Sequence, residues 1–261
     1  MNQVMDVLLK RKSSRAYEKK EISPEIKAQI LKAAMRAPTA GNLMLYSILD
    51  ITDQGIKDTL AQSCDNQPFI ATAPMVLLFA ADYQRWQDYF TYCDVDKLCA
   101  TKNESMRKPD AGDLLLACCD TLIAAQNAVI AAESFGLGSC YIGDILEQYE
   151  THKELFQLPQ YVLPVCLLCF GYPTEQQKNR EQPGRFDEKF IVFENKYQRL
   201  APQDFDEMFR NRHKLIFKER DNIEGSVNLG QFMYQRKFNA EYSLEMNRSV
   251  RAMLKAWNNE E

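Results

Sequence analysis

Histidine is scarce in this chain, with only His152 and His213 among 261 residues. Neither stands at zinc-ligand spacing from a cysteine pair, and two imidazoles offer little general acid–base capacity. Glycine and proline number ten each, too few for low complexity or collagen. A basic excess is also missing. With 32 basic and 36 acidic side chains the net charge is −4, which excludes the electrostatic footprint of a nucleic-acid binder. Uninterrupted apolar runs of about 20 residues, the length a helix needs to cross a bilayer, are absent. The best candidates are residues 73–81, residues 161–172 with Pro164 inside, and the stretch after Asp120 with Gln126 and Asn127 inside, and all read as buried elements. No membrane association is therefore expected. The opening MNQVMDVLLKRK places its charge after a short apolar patch, the reverse of a secretory signal, and the expected compartment is the cytoplasm.

Familiar catalytic signatures are lacking as well: no Walker lysine motif, no H-E-x-x-H and no G-x-S-x-G. The nearest approach to a dinucleotide fingerprint is Gly136-Leu137-Gly138-Ser139-Cys140-Tyr141. It puts Tyr141 at the third glycine position and follows a helical pattern, so its glycines read as a helix stop. An enzyme built from this sequence relies on a cofactor.

What is present suits one large or two small globular domains, with 46% hydrophobic and 26% charged residues. Eight cysteines have no scaffold or metal spacing. Cys118 and Cys119 are adjacent in a helical pattern and Cys166 and Cys169 lie in VLPVCLLCF, so they read as reduced packing thiols in a reducing interior. Val4, Met5, Leu8 and Leu9 predict a first helix. Ser23-Pro24 is an N-cap with proline at the first helical position, and Ile26, Ile30 and Ala34 continue that helix until Pro38. Strands are predicted over 46–52, 74–81 and 161–170, with a short strand or turn over 139–143. A long helix spans 111–133, apolar on both sides, with Gly136 and Gly138 as its stop. Residues 174–185 read as a surface loop. This order is an α/β or α+β grammar. Two basic clusters stand out, Arg11, Lys12, Ser13 and Arg15 near the start and Lys178 with Arg180 far downstream, and either binds phosphate or is solvated surface charge.

Five motifs in order, R-K-S-S-R-A-Y, A-P-T-A-G-N, N-Q-P-F-I before an A-P-led strand, G-L-G-S-C-Y-I-G, and F-G-Y-P followed by K-N-R, make residues 1–200 similar to the FMN-dependent nitroreductase family. The resemblance implies an α+β sandwich, a mixed, mainly antiparallel sheet flanked by helices, built as an intertwined homodimer with flavins at the interface. It implies FMN as cofactor and NADH or NADPH as electron donor. It further implies that Arg11, Lys12, Ser13 and Arg15, and later Lys178 and Arg180, hold the flavin phosphate and ribityl chain. Thr39 and Asn42 match the loop that approaches the flavin from the other subunit, and Gln67 matches a contact to the isoalloxazine edge. Tyr141, Ile142, Gly143 and Asp144 match the segment against the ring.

Three departures from the family pattern stand out. Asn42-Leu43-Met44-Leu45-Tyr46 replaces N-x-Q-P-W, Asp144 replaces what is often glycine, and residues 201–261 carry no matched motif. The first 200 residues are thus expected to form the FMN-binding domain. Residues 201–261 are expected to be a helical extension whose stripe Tyr242, Met246, Val250 and Trp257 docks on the core or on a second subunit. Within that extension Arg210, Arg212, Lys214, Lys218 and Arg220 alternate with Asp204, Asp206, Glu207, Glu219 and Asp221, which reads as a charged helix surface rather than a nicotinamide phosphate site. The implied activity is two-electron, ping-pong reduction of nitroaromatics, quinones or similar small-molecule acceptors by NAD(P)H, with water supplying the protons. The alternatives are a reductive dehalogenase or flavin-fragmenting enzyme of the same fold, or a flavin-binding redox protein without turnover.

Overall fold

The computed structural model describes residues 2–218 and 220–259, so Glu219 of the tail's acidic set lies outside the described residues. One sheet of four strands organises it: β1 (Tyr46–Asp50), β2 (Met75–Asp82), β3 (Gly138–Ile142) and β4 (Val162–Gly171), in the spatial order β1-β2-β4-β3. Each neighbouring pair is antiparallel. A parallel bridge between Ser13 and Ser139 lays the N-terminal segment along the outer edge of β3, which makes the sheet mixed but mainly antiparallel.

The central strand β2 reads MVLLFAAD and is buried at every residue because helices cover both of its faces. Side chains alternate across the pleat. Met75, Leu77 and Phe79 of β2 join Cys166, Leu168 and Phe170 of β4 on one face, while Val76 and Leu78 join Leu167 and Cys169 on the other. Helices Pro24–Met35 and Ala111–Ser134 cover the first face, the latter through Ala124, Ala125, Ala128, Val129 and Ala132, which are small enough to let it approach closely. Leu60 and Ala61 of helix Gln54–Ser63, with Ile70 and Ile145, cover the second. The result is the expected α+β sandwich.

Local chemistry sets the boundaries. The Ser23 hydroxyl accepts the Ile26 N–H at 3.3 Å, and Pro24 opens the helix that follows. Helix Ala111–Ser134 starts in a capping box between Asp110 and Asp113. It stops at Gly136, whose φ of 75° lets the Leu137 N–H fold back to the Ala132 carbonyl at 3.1 Å. Gly138 serves close approach instead, since a Cβ there would sit 2.5 Å from the Ser14 Oγ, and only glycine lets the N-terminal segment lie on β3.

Four expectations need correction or choice. Residues 174–185 are not only loop, because Thr174 caps a one-turn helix, Glu175–Asn179, by accepting the Gln177 N–H. All eight cysteines are free thiols, but Cys93 and Cys119 are exposed rather than packed. At 24 residues, helix Ala111–Ser134 is long and apolar enough by length and composition to cross a membrane, which run length alone did not reveal; nine of its residues are buried within the fold. The terminal helix Glu241–Asn258 docks on its own chain. There Ser249, Met253 and Trp257 are buried, and Trp257 meets Tyr161 edge to face at 5.3 Å, while Tyr242 and Met246 are only half-buried.

The chain forms two compact units, one made of residues up to Arg180 together with those from Glu245 onward, the other of Glu181–Leu244. The second has its own small core, where Phe217 is buried under His213, stacked at 4.5 Å, and beside Phe232.

Candidate functional site

Helix Gln3–Lys10 ends at Arg11, and the chain then runs along β3 with the Ser14 N–H donating to the Ser139 carbonyl at 2.8 Å. After β4 the chain returns to the same edge, where the Glu18 N–H donates to the Tyr172 carbonyl and the Thr174 N–H to the Ala16 carbonyl. Both basic clusters therefore arrive at one place. The Lys12 ammonium donates to the Lys178 carbonyl at 2.7 Å, 166 residues away, and to that of Arg180. The Arg180 guanidinium returns a bond to the Ser13 carbonyl, and the Arg15 N–H donates to the Gln177 side chain.

Buried Cys140 acts as a probe of this edge. Burial pushes its thiol up, and Arg15, Arg11, a hydrogen bond from Ser13 and Arg180 all pull it down. Arg11, Arg15 and Arg180 thus all act on this one thiol. The Nε of Arg180 is buried there without a hydrogen-bond partner, an atom that a phosphate oxygen would satisfy. Lys178 is placed differently. Its exposed ammonium pairs with Glu175 at 2.7 Å and Glu18 at 3.1 Å.

The other end of β3 is acidic. Ile142 is buried in the sheet face, and the Tyr141 hydroxyl donates to Gln126 of the long helix at 3.2 Å. Burial raises the Tyr141 phenol. A 3₁₀ turn, Gly143–Leu146, follows. Left-handed Asp65 and Asn66 reverse the chain after helix Gln54–Ser63 and bring Gln67 to this turn, where its amide donates to Asp144 Oδ2 at 2.7 Å and to the Cys64 carbonyl at 3.0 Å. Behind Asp144 lies Glu147, 5% exposed, with Oε1 unpartnered. Burial first, then Asp144 and Asp65, a side-chain contact with Asp144, and Glu245 push its carboxyl up to about 8. Buried His152 braces the turn: its Nδ1–H donates to the Ile145 carbonyl at 3.0 Å, and Nε2 accepts from the Ser63 hydroxyl at 2.8 Å. Burial lowers its pKa.

Thr39 and Asn42 belong to a third place. No hydrogen bond among the described residues joins them to the cations or to the Gln67–Asp144 turn. Their loop is tense, with Gly41, Asn42 and Met44 all left-handed. Asp120, a buried acid on the long helix, holds it by accepting the Ala40 N–H at 2.9 Å and the Leu45 N–H at 3.3 Å. Trp86 and Arg85 add bonds to the Leu43 and Met44 carbonyls. Sequence reasoning missed Asp120, Trp86 and Arg85, as well as Glu147. The available signal was a lone carboxylate inside the apolar helix face around Ala117, Thr121 and Ala124, which needs partners once buried.

The site thus belongs to an α+β protein in which the outer edge of β3 brings residues 12–15 and 177–180 together beside a polar turn. The chain belongs to the nitroreductase family, whose model matches residues 8–172. It is 31% identical over 204 residues to the NADPH-flavin oxidoreductase of Vibrio harveyi, covering 78% of each chain. It is also 31% identical over 200 residues to the oxygen-insensitive NADPH nitroreductase of Salmonella typhimurium, covering 77% of each. Among solved structures, the NADPH:FMN oxidoreductase from Vibrio harveyi complexed with NAD+ superposes with a TM-score of 0.78 at 25% identity, over 97% of this chain and 98% of that one.

Proposed function

We infer that this chain is an FMN-dependent oxidoreductase that uses NAD(P)H to reduce small-molecule acceptors, nitroaromatics and quinones among them, by two-electron transfer. The observation that carries this reading is the meeting of residues 11–15 with residues 178–180 around the buried, unpartnered Nε of Arg180. Bound there, FMN supplies the hydride and electron chemistry. Arg11, Ser13, Arg15 and Arg180 hold its phosphate end, while Lys12 spends its charge on two backbone carbonyls and keeps the cradle closed. Lys178 adds positive potential from the rim. Gln67, Tyr141, Ile142, Gly143 and Asp144 line the ring, and Thr39 and Asn42 belong to the site of a second copy.

We propose that two copies form a homodimer through the outer side of helix Ala111–Ser134. Leu115 is 68% exposed there, and Leu116, Leu122 and Ile123 are exposed as well, a patch that a lone subunit leaves in water. Residues 1–200 form the flavin-binding part, and residues 201–261 are an extension whose last helix closes the core. Eight free thiols support a cytoplasmic setting.

The test begins with heat release. The purified protein should yield FMN, and NADH or NADPH should be consumed steadily with menadione or nitrofurazone. Recovery of FAD, or failure to bind any flavin, overturns the reading. Halide release or oxygen-dependent destruction of the flavin would instead identify one of the same-fold chemistries. Leu122→Asp should shift the dimer toward monomer in sedimentation and release FMN with it.

A further inference from the structure

Glu147 closes the turn that Asp144 opens, its N–H donating to the Asp144 carbonyl at 3.0 Å, and the charged groups that act on its carboxyl are all acids. Asp65 approaches from the loop after helix Gln54–Ser63, and Glu245 from the terminal helix. The Cys64 thiol borders both acids, and burial first, then Asp144, pushes it up to about 12. His152 lies below and is kept neutral by burial. Arg248, on the same helix as Glu245, is taken up by Glu150 and Glu245, each at 2.8 Å. A carboxyl buried with an unpartnered oxygen and surrounded by acids is disfavoured as an anion, so Glu147 keeps its proton above the usual glutamate range. The Gln67 amide donates to Asp144, which leaves the proton on Glu147, and Oε1 of Glu147 is the buried atom without a partner.

We propose that buried Glu147 holds a proton at neutral pH and is the immediate proton source for acceptor reduction, with half-exposed Asp144 passing the proton on; this rests on the placement of the flavin beside residues 141–144. Reduction of a quinone by NAD(P)H consumes one hydride and one proton. The hydride brings two electrons and one hydrogen, and NAD(P)+ leaves. The second hydrogen comes as H+: the O–H bond on Glu147 breaks, Asp144 relays the proton, and an O–H bond forms on the acceptor oxygen. The pair passes from one negative charge to two and is reloaded from water at the Asp144 side. Water thus remains the ultimate source, as the sequence implied, but is no longer the direct donor.

The first readout needs no flavin. Carbon-13 NMR of glutamate carboxyls in the apoprotein should show one group titrating near pH 8, and Glu147→Gln should remove it. In the FMN-loaded protein, single-turnover transfer of electrons to menadione should slow about tenfold between pH 7 and pH 9, one proton per pH unit above the apparent pKa. Glu147→Gln should be slow throughout and lack this limb. An ordinary carboxylate titration for Glu147 overturns the proton held there. A titration near 8 with coincident rate profiles for parent and variant overturns the role in proton delivery. Placement of the flavin is checked separately by the visible absorption of the bound FMN in Asp144→Asn. An unshifted spectrum with the apoprotein titration intact removes the flavin placement, and with it the role in proton delivery, while the proton held on Glu147 stands.

Discussion

At the Ser139 end of β3 the charge is positive and comes from segments 166 residues apart, whereas at the Asp144 end it is negative and comes from carboxylates three residues apart. The first arrangement exists only in the folded chain. Its geometry depends on backbone carbonyls bound by Lys12 and Arg180, two cations that clasp the segments together. The second is almost local, set by one 3₁₀ turn and a single amide donor, Gln67. Burial acts in the same sense at the two ends, raising both the Cys140 thiol and the Glu147 carboxyl, and the neighbours differ: cations pull the thiol back down, while acids push the carboxyl further up.

The largest expected effect falls on the positive end. Replacing Arg15 and Arg180 together by alanine should weaken FMN binding by about 3 to 6 kcal/mol, two charged hydrogen-bonding groups at about 1.5 to 3 each. A fluorescence titration of apoprotein with FMN measures this, and equal dissociation constants would return both residues to ordinary surface charge.

Next comes the negative end. A carboxyl whose folded pKa is raised contributes stability that is complete below its unfolded value and is lost as pH rises through the folded one. For Glu147 that window runs from the usual glutamate range to about 8. Glu147→Gln should therefore be more stable than the parent by about 2 kcal/mol at pH 9 and no more stable at pH 5, since each pH unit across the window is worth at most about 1.4 kcal/mol and solvent screens part of it. Urea unfolding at the two pH values decides, and parallel pH profiles would deny the raised carboxyl.

His152 behaves in the reverse sense, since a lowered imidazole pKa contributes stability above its unfolded value that is lost on acidification below about 6.5. Ser63→Ala removes the hydroxyl donor to Nε2 and should cost about 1 kcal/mol at pH 7. A loss that vanished at neutral pH would mean the bond holds nothing. The smallest effect belongs to Lys178→Ala. Its ammonium is exposed and already engaged by two carboxylates, so FMN affinity should change less than about fivefold. A larger change would make Lys178 a direct phosphate ligand.

Much of the fold was legible because it is written locally. Ser23-Pro24, the continuous apolar run of β2 and the Gly136 stop each act within a few residues, and each is where the pattern placed it. Helices Gln54–Ser63, Gln84–Tyr92 and Val95–Thr101 are only ten, nine and seven residues long, which leaves too few turns for a reading by periodicity. The cap at Thr174 is readable but masked by the polar composition after it. In the site, Gln67 and Asp144 each match a motif, yet nothing in their spacing of 77 residues announces that one donates to the other. Glu147 is invisible for the same reason, because a carboxyl's burial and its acidic neighbours are properties of the fold.

Trp257 packs edge-on against Tyr161 and also donates its indole N–H to the Asp110 carbonyl at 3.3 Å, 147 residues upstream. Contacts of such separation are slow to form, because a long loop must close before they are rewarded. The cluster that seats Leu45, Leu114, Tyr149 and Leu163 thus waits for the end of the terminal helix, and a growing chain carries these side chains uncovered until residue 257 has left the ribosome. Closure of this cluster thus depends on the last helix, and a chain interrupted within that helix leaves Leu45, Leu114, Tyr149 and Leu163 without their Trp257 cover.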